Sequence, residues 1–117
     1  VARGEQPAAL VIKGARLVNV FSGEIYTIDI AVEDGRIAGL GSFEAREIYD
    51  ATGLYAAPGF IDAHIHLESS GLTVPEFARA VVPLGTTTVI TDPHEIANVL
   101  GLDGIVYMIE SSQGLPI

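Results

Sequence analysis

The sequence contains no cysteine. That excludes disulfides, thiolate metal sites and a cysteine nucleophile, so any metal must be held by histidine and carboxylate. Basic residues are also scarce. Six Lys and Arg stand against fifteen Asp and Glu, for a formal charge of -9. The basic residues are scattered singly, so most of the chain would repel a nucleic acid or an anionic membrane surface, and neither is expected as a partner. No stretch approaches the ~20 uninterrupted apolar residues that span a bilayer, and the N-terminus lacks a basic patch followed by an apolar run. The expectation is a cytoplasmic protein without a secretion signal. Internal repeats and low-complexity segments are absent too.

Apolar residues, in contrast, make up 49% of the chain. This is high for a small acidic protein and points to surface that something else covers. At 117 residues there is room for one ordinary domain, or for a small domain plus part of a larger one. The pattern along the chain favours the second.

Residues 1–57 have the grammar of a small β-domain. Leu10-Val11-Ile12 and Ala15 to Val20 are short apolar, β-branched runs divided by turn residues, and both read as strands. Asp34-Gly35 lies between Ile25 to Val32 and Arg36 to Leu40. That residue pair is favoured by a tight type I′ hairpin. Ser42 to Tyr49 and Ala51 to Tyr55 supply one or two more strands. The expectation is a small antiparallel sheet, part of a sandwich, with no catalytic features.

Residues 58–117 follow a different period. An apolar strand ending near Leu67 precedes a helix that starts at a Thr73-x-x-Glu76 capping box with Pro75 in its first turn. Phe77, Ala80, Val81 and Leu84 recur at the spacing of one helical face, and Gly85 sits where a left-handed cap belongs. Thr86 to Thr91 is then a β-branched strand. The strand-helix-strand unit should be parallel. Asp103 to Gln113 reads as a later helix, with Gly114 as its stop and a third parallel strand due at Leu115-Pro116-Ile117.

The chemistry concentrates in Asp62-Ala63-His64-Ile65-His66-Leu67-Glu68-Ser69-Ser70. On a strand, Asp62, His64, His66 and Glu68 share one face, while Ala63, Ile65 and Leu67 share the other. Four ionisable groups on one side of a buried strand are costly unless they pair or coordinate a metal. His64 and His66 are therefore the expected ligands, with Asp62 and Glu68 beside them. Imidazole suits zinc, iron or manganese, and the carboxylates lean towards the harder ions. Two ligands do not complete a catalytic site, which usually takes three from the protein plus an open position. Ser69 and Ser70 lack a nucleophile elbow and read as polar lining.

Asp92-Pro93-His94-Glu95 follows the second strand, at the end where parallel β/α architectures place functional groups. Asp92 and Glu95 also fit an ordinary capping box for a short helix through Leu100, with Pro93 at its first position. Capping gives His94 no role. A place beside the metal site and a place on an exposed loop remain open for it.

Taken together, PGFIDAHIHLESS (58–70) and LTVPEFARAVVPLGTTTVITDPHEIANVLG (72–101) resemble the amidohydrolase superfamily and, within it, the adenine deaminase family. The first motif alone is shared with dihydroorotases and hydantoinases, whereas HLESS and TDPHEIANVLG are narrower. VIKGARLVNVFSGEIYTIDIAVEDGRIAGLG (11–41) is similar to the small β-domain that precedes the metal barrel in that family. The resemblance implies that residues 58–117 begin a (β/α)8 barrel. It also implies that His64 and His66 belong to a binuclear centre of manganese or iron, with zinc an alternative. The activity implied is hydrolysis of adenine to hypoxanthine and ammonia. A whole barrel takes roughly 250 residues. The chain is therefore expected to be an N-terminal fragment, with the remaining ligands and main acid-base groups beyond residue 117, and to be inactive alone. Two other functions fit less of the sequence: an amidohydrolase of the hydantoinase or dihydroorotase type, and a non-catalytic piece that self-associates through open sheet edges as a homo-oligomer.

Overall fold

The computed structural model describes residues 1–117, which divide into two compact units, Val1–Pro58 and Gly59–Ile117. The first unit is one five-stranded sheet made of β1 (Ala8–Asn19), β2 (Glu24–Glu33), β3 (Arg36–Leu40), β4 (Ala45–Asp50) and β5 (Tyr55–Ala56). Its order is β3-β2-β1-β4, and β5 also pairs with β1. Pairings β1–β2 and β2–β3 are antiparallel, but β4 and β5 run parallel to β1. The sheet is thus mixed, which corrects the expected all-antiparallel arrangement. Phe43 explains the crossing. Its ring lies over Gly39, where a Cβ would meet it at 2.5 Å, and it packs on buried Ala8, Val11 and Ala31. The link after β3 crosses the sheet through this contact and brings β4 to the edge of β1.

The two apolar runs expected as separate strands are one strand. Between Ile12 and Ala15 the register slips, and Gly14 takes up the extra residue with φ +69°. Its N–H donates to Asp29 Oδ1 at 2.8 Å, and Thr52 Oγ1 lies 2.9 Å from where a Cβ would stand. A bulge with glycine in the left-handed region keeps both flanking segments paired. At the hairpin, Asp34 (φ 49°) and Gly35 (φ 69°) adopt the two positive angles of a type I′ turn, and Glu33 faces Arg36. The expected strand Ala51 to Tyr55 is mostly a turn, leaving only Tyr55–Ala56 paired. Glu33 accepts from Ala9 N–H and from Arg46 Nη2 at 2.9 Å, joining the end of β2 to β1 and β4. The hydrogen bond from Arg46 holds the Glu33 carboxyl below its ordinary pKa, and hydrogen bonding from Thr52 does the same for Asp50.

The second unit opens with β6 (Phe60–Ile65), followed by α1 (Val74–Val81) and β7 (Thr86–Thr91). β6 and β7 are parallel, and their pairing runs from Phe60↔Thr86 to Ile65↔Thr91 with two irregularities. Two helices follow, α2 (His94–Leu100) and α3 (Leu102–Ser112). The core is Leu67, Val74, Phe77 and Met108, joined by Ile65, Val81, Val89 and Ile96. Val74, Phe77 and Ala78 form the buried stripe of α1, at the three- and four-residue spacing of one face.

Several local expectations change. Ala80 and Leu84 are exposed, because α1 stops at Val81 and a 3-10 turn carries the chain through Pro83 to Gly85 (φ 102°). Proline inside that stretch removes the amide that a longer helix needs. Thr73 is the N-cap residue but makes no side-chain cap bond, and Glu76 pairs with Arg79 at 3.1 Å, so the capping box does not form. Leu115 to Ile117 is not a strand. Leu115 and Ile117 pack on the core instead. No helix is long and apolar enough to cross a membrane.

Candidate metal centre

β6 ends at Ile65, one residue before the second histidine. His66 (φ −99°, ψ 94°) leads into a 3-10 turn, Leu67–Ser70, and Leu67 drops into the core at 4% exposure. His66 and Glu68 therefore leave the strand face that alternation assigned them. In that turn Leu67 joins Phe77 and Met108 in the core, and this burial of apolar surface favours the turn. The two histidines still meet. His64 Nε2 and His66 Nε2 are 3.2 Å apart, with ring planes at 87°.

Parallel pairing brings the second cluster to the first. Asp92 N–H donates to Ile65 C=O at 3.0 Å, which aligns the C-terminal ends of β6 and β7. His66 Nδ1 then lies 2.9 Å from the Asp92 carbonyl oxygen. A carbonyl only accepts, so Nδ1 carries the proton and Nε2 keeps its lone pair towards His64. The side chain of Asp92 serves a third imidazole, that of His94. Its Oδ2 is 3.1 Å from His94 Nδ1, and the His94 ring stands edge-on to His66 at 4.6 Å between centroids.

Glu95 accepts from the Ser69 hydroxyl at 2.5 Å, and Glu68 Oε1 accepts from Ile96 N–H at 3.2 Å. These bonds tie the 3-10 turn to the first turn of α2. The expected capping roles of Asp92 and Glu95 are not what the structure contains: Pro93 is the N-cap residue and makes no side-chain cap bond, the first-turn amide of Ile96 is taken by Glu68, and the Asp92 and Glu95 carboxylates turn to His94 and Ser69. Asp62 accepts from the His64 N–H at 3.2 Å through Oδ1. Ser70 donates to Leu67 C=O and accepts from Leu72 N–H. It closes its own turn and stands apart from the cluster.

The donor set suits a divalent cation. Two nitrogens at ~2.1 Å from one ion lie ~3.0–3.4 Å apart for right-angle to tetrahedral geometry, a range that includes the 3.2 Å observed. His66, His94 and Glu95 also place ligand atoms within 4.8 Å of one another. One oxygen, Glu68 Oε2, is buried without a partner. What sequence inspection cannot see is the Asp92 carbonyl, since every residue has one and only strand pairing selects it.

A cavity of about 480 Å³ lies beside the core of this unit. Leu67, Phe77, Val89, Ile105 and Met108 line it, so it is an apolar gap beside the core with none of the ionisable groups above.

Residues 55–117 match the family described as the amidohydrolase family. Over the whole chain, identity is 58% to the adenine deaminase of Kosmotoga olearia, 56% to that of Listeria monocytogenes serotype 4b and 53% to that of Moorella thermoacetica. In each case the chain spans 20% of the relative's length. Among solved structures, an N-acyl-D-glutamate deacylase from Bordetella bronchiseptica, complexed with zinc and a phosphonate inhibitor, is 32% identical with a TM-score of 0.62; 74% of this chain and 19% of that one are covered. The L-hydantoinase (dihydropyrimidinase) of Arthrobacter aurescens is 30% identical with a TM-score of 0.56, covering 74% of this chain and 21% of that one.

Proposed function

The chain belongs to the amidohydrolase family, and from that membership we propose that it supplies the first metal-holding strands of an enzyme hydrolysing adenine to hypoxanthine and ammonia. The observation that carries the reading is the facing pair of imidazole Nε2 atoms, 3.2 Å apart where a parallel strand ends. The similarity to adenine deaminases along the whole chain supports the substrate. In this reaction the oxygen of water bonds to the amino-bearing carbon of adenine, the bond to the amino nitrogen breaks, and ammonia leaves.

His64 and His66 would hold the ion, with manganese or iron favoured over zinc by the carboxylates alongside. When bound, such an ion lowers the pKa of water towards neutrality and polarises the bond under attack. The Asp92 carbonyl fixes the His66 ring so that Nε2 faces His64. Ser69 and Glu68 hold the 3-10 turn against α2, which keeps the wall of the site in place. We read residues 58–117 as the opening of a (β/α)8 barrel and residues 1–57 as its preceding small domain. Eight strands close such a barrel. The principal acid-base groups then lie outside these residues, and the chain alone should not turn adenine over. A small-molecule substrate and a cytoplasmic setting accompany this reading.

The similarity to a hydantoinase favours a second reading, cleavage of cyclic amides. The two separate on the full-length protein that carries this chain, freed of metal by chelation and resupplied with manganese. Adenine absorbance should fall only with manganese present, while hydantoin and dihydropyrimidine stay intact. Amide cleavage without adenine turnover would replace the first reading by the second.

A further inference from the structure

Asp92 holds two of the three imidazoles of the cluster, His66 and His94, each by its Nδ1. Its carbonyl takes the His66 Nδ1 proton at 2.9 Å, and its carboxylate faces His94 Nδ1 at 3.1 Å. With each Nδ1 occupied, the free lone pair of each ring is on Nε2, the arrangement in which an outer hydrogen bond orients a histidine for a metal. Glu95 is oriented too, by the Ser69 hydroxyl on one of its oxygens. The ligand atoms of His66, His94 and Glu95 gather within 4.8 Å of one another. With His64 Nε2 3.2 Å from His66 Nε2, three imidazole nitrogens and one carboxylate oxygen stand as candidate ligands, a set that fills a four-coordinate site and leaves an open position only on an ion of higher coordination number.

We propose that His94 and Glu95 join His66 as direct ligands, so that the ends of β6 and β7 hold one divalent cation without any residue beyond Glu95. This rests on the reading of these strand ends as a metal centre and extends it from the His64–His66 pair to the segment after β7. The cation then cross-links the two strands. Binding to the folded unit alone raises its stability by mass action.

The test is isothermal titration of the 117-residue chain with Zn²⁺ and with Mn²⁺, alongside His94→Ala, Glu95→Gln, His64→Ala, His66→Ala and an exposed control outside the cluster, Asp103→Asn. The expected result is one ion per chain. His94→Ala and Glu95→Gln should each weaken binding at least about tenfold, the least that loss of a ligand implies when outer-shell partners already cost that much, and Asp103→Asn should bind as the parent does. Two readouts on the unsubstituted chain guard against variants that misfold. Zn²⁺ should shift the Nε2 resonances of His66 and His94 together, and the thermal midpoint should rise with Zn²⁺ concentration. Parent-like binding by His94→Ala and Glu95→Gln, with loss only on substituting His64 or His66, would overturn the inference and leave the two-histidine centre standing. Folded chain that binds no ion would also overturn it, again leaving a centre that needs further residues. Binding indifferent to all four substitutions would remove both.

Discussion

At the scale of single residues, the cluster depends on groups that differ in how visible they are. That His64 and His66 stand side by side was legible, because two histidines one residue apart on a strand share a face. Their actual geometry was not, because it follows from Leu67 entering the core and bending the chain at His66. Gly59 is a similar case. A Cβ at Gly59 would collide with Thr87 Oγ1 and sit 2.8 Å from Thr87 Cβ. Its small size is demanded by the neighbouring strand. Gly59→Ala is expected to destabilise the second unit by about 1–3 kcal/mol, as overpacking does. Exposed Thr87 can be trimmed, so Gly59→Ala/Thr87→Ala should recover part of the loss, measured as a double-mutant cycle in urea. Strict additivity of the two changes would refute the steric account.

Elements were legible where the signal is local. The Asp34-Gly35 hairpin and the parallel β6–β7 pair follow from turn chemistry and apolar period. The mixed sheet was hidden, because the path of the chain over Phe43 is a tertiary choice that no strand pattern encodes. Capping boxes failed for a related reason: Asp92, Glu95 and Glu76 have better partners in His94, Ser69 and Arg79. The sheet also has an acid-sensitive fastening. Glu33 and Asp50 have lowered pKa values through hydrogen bonds, from Arg46 and Thr52 respectively. A carboxyl whose folded pKa is depressed contributes stability above its unfolded pKa and loses it as pH falls through the folded value. The urea midpoint of the parent should therefore fall between about pH 5 and pH 2, and Glu33→Gln should flatten that fall. An equal acid sensitivity in Glu33→Gln would show that the carboxylate does not fasten the sheet.

For the whole molecule, the sequence changes grammar near Pro58, where strand alternation gives way to helical spacing. The two compact units, Val1–Pro58 and Gly59–Ile117, are the structural counterpart of that change. The assembly of the site was less readable, since its cross-links join residues 26 to 28 positions apart and depend on strand pairing that the Asp92 N–H to Ile65 C=O bond completes. Family membership makes the strand ends the expected seat of metal chemistry. Adenine hydrolysis by the full-length protein carrying this chain, followed by ultraviolet absorbance with manganese, tests that most directly when the parent is compared with His64→Ala and His66→Ala. The account predicts manganese-dependent conversion of adenine to hypoxanthine in the parent and a loss of at least about a hundredfold in each variant, a barrier increase of about 2.7 kcal/mol. Adenine turnover that survives both substitutions would contradict it.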